Sequence, residues 1–481
     1  MPYSAKDPLS VELIGGGRYN RILVPTGLPP MPLPIPGDDR SRDQAHLLHS
    51  LHNREAQARA HVWVRGHGAV LVDQDGKEYL DGLAGLWNVV AGHGRRELAD
   101  AAARQMNELA YASCYAGSTN RPAIALAERL AGLGYPGINR FYFTSGGAES
   151  NESAFKTARY YWKVAGQPDK YKIVSRVWGY HGVTLAAMSA TGIASYWPMF
   201  EPRTPGFVQI ESPYPYRFQA SPNDSRTAGQ QAADLLEAAI LREGRDTVAA
   251  FLGEPVQGAG GVIVPPDDYW PRVREICDRY GVLLIADEVI TGFGRTGEWF
   301  ALSRYGIEPD IVSFAKGITS GYFPLGGIGV SDRIGAAIDG AAGDRTWMHA
   351  FTYSGHPVGC AVALVNLAII EREGLVAQAG ALGRRLLEGL RTLGSHPHVG
   401  DVRGLGLMCA VELVADKTTK AEFPAAEQVG PRVYAATQER GLFTRLRGDV
   451  YNLAPCFVTT DAQIDRMVEI LGDSIQAVLG P

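Results

Sequence analysis

Two apolar runs in the 481-residue chain each deliver an ionisable side chain at their carboxyl end. Val282-Leu283-Leu284-Ile285-Ala286 runs into Asp287 and Glu288, and Ile311-Val312-Ser313-Phe314-Ala315 runs into Lys316 and Gly317. Short apolar runs of this kind are buried strands of a parallel sheet. An unpaired carboxylate is costly to take out of water, so Asp287 must face a cation or a strong donor. A partly desolvated lysine loses proton affinity, so Lys316 offers a neutral amine for imine chemistry. Taken singly, a strand-end acid also serves as a helix cap or an ion-pair partner, and a loop lysine is commonly just solvated. An Asp-Glu strand end occurs in nucleotide-hydrolysing proteins too, but these need G-x-x-x-x-G-K-[ST] upstream, and the chain has no such run. At the same edge of one sheet the acid and the lysine suit pyridoxal 5'-phosphate: the acid keeps the ring nitrogen protonated and the lysine carries the aldehyde.

That cofactor demands an anion cradle and a stacking partner. Ser145-Gly146-Gly147-Ala148-Glu149 joins a strand over 140–144 to a helix over 148–164, which leaves backbone N–H groups and the positive end of a helix dipole at a strand terminus. Trp178-Gly179-Tyr180-His181-Gly182 follows the next strand, and either Tyr180 or His181 is placed to lie flat on a pyridine ring. Glu254, after the strand over 248–253, faces the same crevice or solvent. Arg445 and Arg447 present planar forks suited to a substrate carboxylate, although an arginine beside Asp449 is also an ordinary surface pair. His46, His49 and His52 share no helix face, because i and i+6 lie about 240° apart. No metal site is expected from them.

Helices alternating with short strands must position these groups. Strands over 140–144, 171–176, 207–210, 248–253, 282–286, 311–314 and 326–330, with helices over 148–164, 229–242 and 269–280, predict a mainly parallel seven-stranded α/β sheet. Right-handed crossovers put a ligand at the carboxyl ends of such strands. A hairpin with its turn at Asp75-Gly76 precedes that region, and a Gly/Pro-rich extended arm over 14–39 and a helix over about 41–60 come earlier still. A helix over 358–373 leads to a smaller α+β unit with strands near 408–414 and 450–454 and a last helix capped at Thr460-Asp461. The expected division is an arm with the first part of a small domain (1–85), a large domain (86–350) and the rest of the small domain (351–481).

Composition closes off other classes. Lys+Arg 46 against Asp+Glu 51 gives a net charge of −5 without blocks of like charge, which argues against nucleic acid. Five scattered cysteines with no C-x-x-C spacing read as free thiols of a reducing compartment. No basic-then-apolar leader and no membrane-length apolar run is visible, so the expected location is the cytoplasm. The chain lacks G-x-S-x-G, H-E-x-x-H and a strand-to-helix G-x-G-x-x-G, the minimum parts of three other enzyme classes.

The order of these parts resembles the class III aminotransferases of pyridoxal-phosphate fold type I, in particular the omega-amino acid and amine:pyruvate transaminases. The resemblance runs from about Val62 onward. It rests on Asp81-Gly82-Leu83-Ala84-Gly85-Leu86-Trp87, Gly179-Tyr180-His181-Gly182, Gly253-Glu254-Pro255-Val256-Gln257-Gly258-Ala259-Gly260-Gly261, 286–297, Ala315-Lys316-Gly317 and 351–357. It implies a large domain with the parallel sheet between helices and a small α+β domain built from both chain ends. It implies that Lys316 forms the internal aldimine, that Asp287 pairs with the pyridine nitrogen, and that Tyr180 and Val289 cover the two ring faces. Ser145, Gly146, Gly147 and Ala148 would hold the phosphate, with Thr352 of a neighbouring subunit. His181 and Glu254 would complete the cofactor pocket, Trp87 would wall the substrate pocket, and Arg445 would bind the keto-acid carboxylate and swing away from an amine that has none. The implied enzyme is a homodimer, or a tetramer built from dimers, with active sites at the shared interface. It would move an amino group from a primary amine or omega-amino acid to pyruvate by a ping-pong cycle; an aminomutase or decarboxylase of the same fold is the alternative. The chain departs from many relatives at Ala148-Glu149-Ser150, where they have Ser-Glu-Ala. It also carries Ile290 where relatives that use 2-oxoglutarate often have Gln, which favours pyruvate.

Overall fold

The computed structural model describes residues 38–481, so the expected extended arm lies outside the described residues apart from its last two positions. The chain falls into two units, the second being Trp63–Pro481. In the first, Asp38 caps the helix Asp39–His46 by accepting from Ser41 N at 3.2 Å, and Asn53 caps Arg54–Ala58 by accepting from Ala56 N at 2.9 Å. The single helix expected over 41–60 is therefore two short ones. Leu47 turns extended, and the Gln57 amide donates to the carbonyls of Asp43 and Leu47 across the break. His49 pairs with Asp43 at 2.9 Å, and among the described residues no cluster is arranged to hold a metal ion.

In the second unit β1 (Trp63–His67), β2 (Val70–Asp73) and β3 (Glu78–Asp81) form an antiparallel meander. Then come β4 (Ile138–Thr144), β5 (Lys172–Arg176), β6 (Phe207–Ile210), β7 (Val248–Gly253), β8 (Leu283–Asp287), β9 (Ile311–Phe314) and β10 (Gly326–Ser331). They make one seven-stranded sheet in the order β4-β10-β9-β8-β7-β5-β6. Every residue of β7, β8 and β9 is buried, as their apolar sequences require of strands covered on both faces. Only β10 runs antiparallel to its neighbours. The carboxyl ends of β4, β5, β7, β8 and β9 thus share one edge.

The remaining strands are β11 (Val399–Gly404), β12 (Cys409–Leu413), β13 (Leu442–Phe443), β14 (Arg445–Arg447) and β15 (Val450–Leu453). β13 joins the first meander parallel to β3, with Leu442 opposite Leu80 and Phe443 opposite Asp81. The others form a third sheet, ordered β11-β12-β15-β14. The last helix, Asp461–Leu479, starts in a capping box of Thr460 and Gln463. All five cysteines are free thiols, and burial pushes Cys277 and Cys409 up to about 12, so neither is a nucleophile near neutral pH. No described helix is long and apolar enough to cross a membrane.

Candidate active site

At the carboxyl edge of the large sheet a cavity of about 200 Å³ is lined by Trp87, Gly147, Ala148, Tyr180, His181, Glu254, Asp287, Val289, Lys316 and Arg445, all singled out by the sequence. Larger in volume is a groove of about 580 Å³ against the last helix, but it contains no lysine and none of these groups. Ser145, Gly146 and Thr352 are not among the cavity's lining residues. Ser145 N donates to Glu149 Oε2 at 2.8 Å, and the Thr352 carbonyl accepts from Tyr111 at 2.6 Å.

Asp287 ends β8 and is buried. Its Oδ2 accepts from Asn151 Nδ2 at 2.8 Å and meets His181 Nδ1 at 2.7 Å, while Oδ1 accepts from Val289 N at 3.1 Å. His181 is therefore tied edge-on to the carboxylate, which leaves Tyr180 as the ring available for stacking at that loop. Asn151 went unseen in the sequence; its signal was a polar residue four positions after Gly147, hence on the same helix face. Glu288, the next residue, points to the opposite side of the strand. There it accepts from Tyr135 at 2.5 Å, from Thr291 and from Leu302 N at 3.2 Å, and burial pushes its carboxyl above the usual range. It belongs to the core, not to the cavity.

Lys316 follows β9 with φ 47°, a left-handed backbone that a side-chain-bearing residue rarely adopts. Asn366 holds that turn by donating to the carbonyls of Gly317 at 2.8 Å and Ile318 at 3.0 Å. Burial lowers the lysine to about 8 from the ordinary 10.5, against the opposing pull of Asp287 and Glu254. Between those two values the unfolded chain binds more protons than the folded one, so this residue's contribution to stability rises with pH across that window. Acylation of Lys316 by an amine-directed reagent, read by peptide mapping of cofactor-free protein, is expected to rise with a midpoint near about 8. A midpoint at 10.5 would remove the desolvated lysine.

Glu254 is clamped by Tyr180 N and Gly258 N, each at 2.9 Å, and burial raises its pKa above the usual carboxylate value. Trp87 sits in a turn braced by Asp81, which accepts from Gly85 N at 2.6 Å and meets His93 at 2.8 Å. Trp87 too has a left-handed backbone, with φ 66°.

The cavity fits a pyridine ring that bears a phosphate and an aldehyde. One edge has a buried carboxylate. Opposite Val289, the helix Gly147–Val164 starts without a side-chain cap, so its first N–H groups stay free for an anion. A Cβ on Gly147 would come within 2.8 Å of Val289, so glycine there keeps a slot that any side chain would fill. Ser150 does not reach the slot, because its hydroxyl is spent on the carbonyls of Gly146 at 3.0 Å and Phe314 at 3.1 Å.

Comparison with known proteins identifies relatives over most of the chain. The aminotransferase class-III family profile matches residues 51–475. The chain is 42% identical to a diaminobutyrate–2-oxoglutarate transaminase of Halomonas elongata, over 89% of this chain and 93% of that protein. It is 41% identical to a putrescine–pyruvate aminotransferase of Pseudomonas aeruginosa, over 85% and 89%. The crystal structure of an (S)-enantioselective omega-transaminase from Thermomicrobium roseum superposes with a TM-score of 0.88 at 51% identity, covering 91% of this chain and 98% of that one.

Proposed function

We propose that this chain, which belongs to the class III aminotransferases, moves an amino group from an apolar primary amine to pyruvate by a ping-pong cycle. The family works with pyridoxal phosphate. The observation that carries the reading is one cavity bordered by a desolvated lysine, a buried aspartate and an arginine. Asp287 would hold the cofactor at its ring nitrogen, Gly147 and Ala148 at its phosphate, and Tyr180 and Val289 at its faces. Ser145 and Gly146, together with Thr352 of the partner subunit, would add phosphate contacts in a homodimer. Bound there, the cofactor supplies a carbonyl carbon that takes the amino group and a conjugated ring that takes up the electron pair of the breaking C–H bond.

The chain's own groups do the rest. Neutral Lys316 Nζ would take the proton from the substrate carbon that bears nitrogen and hand it to the cofactor carbon that had carried the aldehyde oxygen. His181 and Asn151 fix the Asp287 carboxylate, so a proton at the ring nitrogen keeps a negative partner in a set position. Leu86, Trp87, Val183, Ala259 and Ile290 present apolar surface to the organic part of the amine. Besides Asp287 and Glu254, no carboxylate among the described residues lines the cavity, which supports an amine without a second ammonium. Arg445 offers a planar fork to the acceptor's carboxylate.

Arg445→Ala tests the two-substrate reading. The expected result is a fall of about 10- to 100-fold in kcat/KM for pyruvate, the range of a lost charged hydrogen bond, with an amine lacking a carboxylate changed much less. Equal losses for both substrates would take Arg445 out of acceptor binding.

A further inference from the structure

Beside the cavity, one buried amide stands unpaired. Asn452, on β15, is fully buried, and neither its Oδ1 nor its Nδ2 meets a partner among the described residues. Buried amides are nearly always paired, so this one asks for a reason. Asn452 stands directly opposite Arg445 on β14 and Ala410 on β12. Cross-strand partners share a face, so the amide and the guanidinium stand side by side. Neighbouring positions on that face, Val450 and Ala410, pack with Trp87, Ile290 and Met408 in one apolar cluster. Asn452 itself is shut off from solvent.

Arg445 reaches the cavity and makes no ion pair with a described carboxylate. The acids on the same sheet face are taken: Arg403 holds Asp401 at 2.7 Å and Glu412 at 2.9 Å, and Arg217 holds Glu412 at 2.6 Å. Arg447 stacks on Trp178 with its carbon 4.3 Å from the ring centre. When a keto acid occupies the cavity, its carboxylate satisfies Arg445. An apolar amine excludes water and offers the guanidinium nothing, and a desolvated cation without an acceptor is strongly unfavourable. Directly across the strand pair from Arg445, the Asn452 side-chain Oδ1 is an unpaired acceptor.

We propose that Asn452 is a positioning residue for Arg445: its Oδ1 accepts from the guanidinium while the cavity holds an apolar amine and releases it when a carboxylate enters. This rests on the two-substrate transaminase reading. The side chain is a specificity device that lets one cavity serve two chemically opposed partners.

The test uses the cofactor-loaded protein with Asn452→Leu, which keeps the volume and removes the acceptor, and Asn452→Asp, which strengthens it. Rates are measured for each half-reaction, with 1-phenylethylamine and with pyruvate, and propionate, an unreactive carboxylate, is titrated by calorimetry. Asn452→Leu is expected to lower kcat/KM for the amine about tenfold and leave pyruvate and propionate within about twofold. Asn452→Asp is expected to weaken propionate about tenfold or more, because the new anion competes for Arg445. Asn452→Leu weakening propionate while sparing the amine would overturn the proposal in favour of a direct carboxylate contact, and equal losses would reduce the residue to packing. If the leucine variant fails to fold, an unchanged propionate affinity in Asn452→Asp overturns it alone. Wild-type protein that passes no amino group to any keto acid would instead defeat the transaminase reading, while the propionate titration would still judge the pairing.

Discussion

Lys316→Ala is expected to abolish amino transfer, with a fall of at least about 10^4-fold, because in the proposed cycle one side chain is both the amine that holds the cofactor and the group that moves the proton. The loss should be chemical, not structural. Lys316 makes no ion pair or hydrogen bond through its side chain among the described residues, and burying its charge works against folding below about pH 8. Thermal stability of the cofactor-free variant should therefore match or exceed wild type near neutral pH. Borohydride reduction of the loaded wild type followed by peptide mapping should label the peptide that contains position 316, and the variant should give no label. Residual turnover within about 100-fold of wild type would mean that another group carries the proton.

Asp287→Asn is expected to cost about 10^3-fold in the amine half-reaction, the scale on which removal of one preorganised electrostatic partner acts. The carboxamide keeps the shape. Its oxygen can occupy the place of Oδ2 and still accept from Asn151 and His181. Its NH2 then faces the Val289 N–H that Oδ1 now receives, a local donor clash of about 1–2 kcal/mol. A modest drop in melting temperature with a large drop in rate is the signature of lost charge. Single-turnover absorbance with an amine in excess measures the rate directly. A loss below about tenfold would free the ring nitrogen from Asp287.

How far the sequence reveals this site depends on periodicity. β7, β8 and β9 are legible because strands buried on both faces read as unbroken apolar runs, and the last residue of such a run is placed at the sheet edge. Asp287 and Lys316 follow directly. Asp287 and Glu288 look like a pair in sequence, yet strand alternation sends them to opposite sides, one to the cavity and one to Tyr135. Around 41–60 the good helix formers hide a break, because the hydrogen bonds of Gln57 that stabilise the turn span 10 and 14 residues. The third sheet is less legible still. β14 is three residues long, and the pairing that brings Arg445 against Asn452 is tertiary. No local signal says that an asparagine within an apolar strand stands behind a cavity wall.

The two-residue strand β13 bears on the order of assembly. Leu442 and Phe443 hydrogen-bond to the strand that leads into the Trp87 turn, and Arg445 follows two residues after them. Two walls of the cavity, Trp87 and Arg445, therefore depend on a junction between segments some 360 positions apart. Such distant closures come late because chain entropy opposes them. On a ribosome the meander must wait, with one edge unpaired, until the segment around Leu442 and Phe443 has emerged, so the cavity is closed after the sheet that carries the lysine.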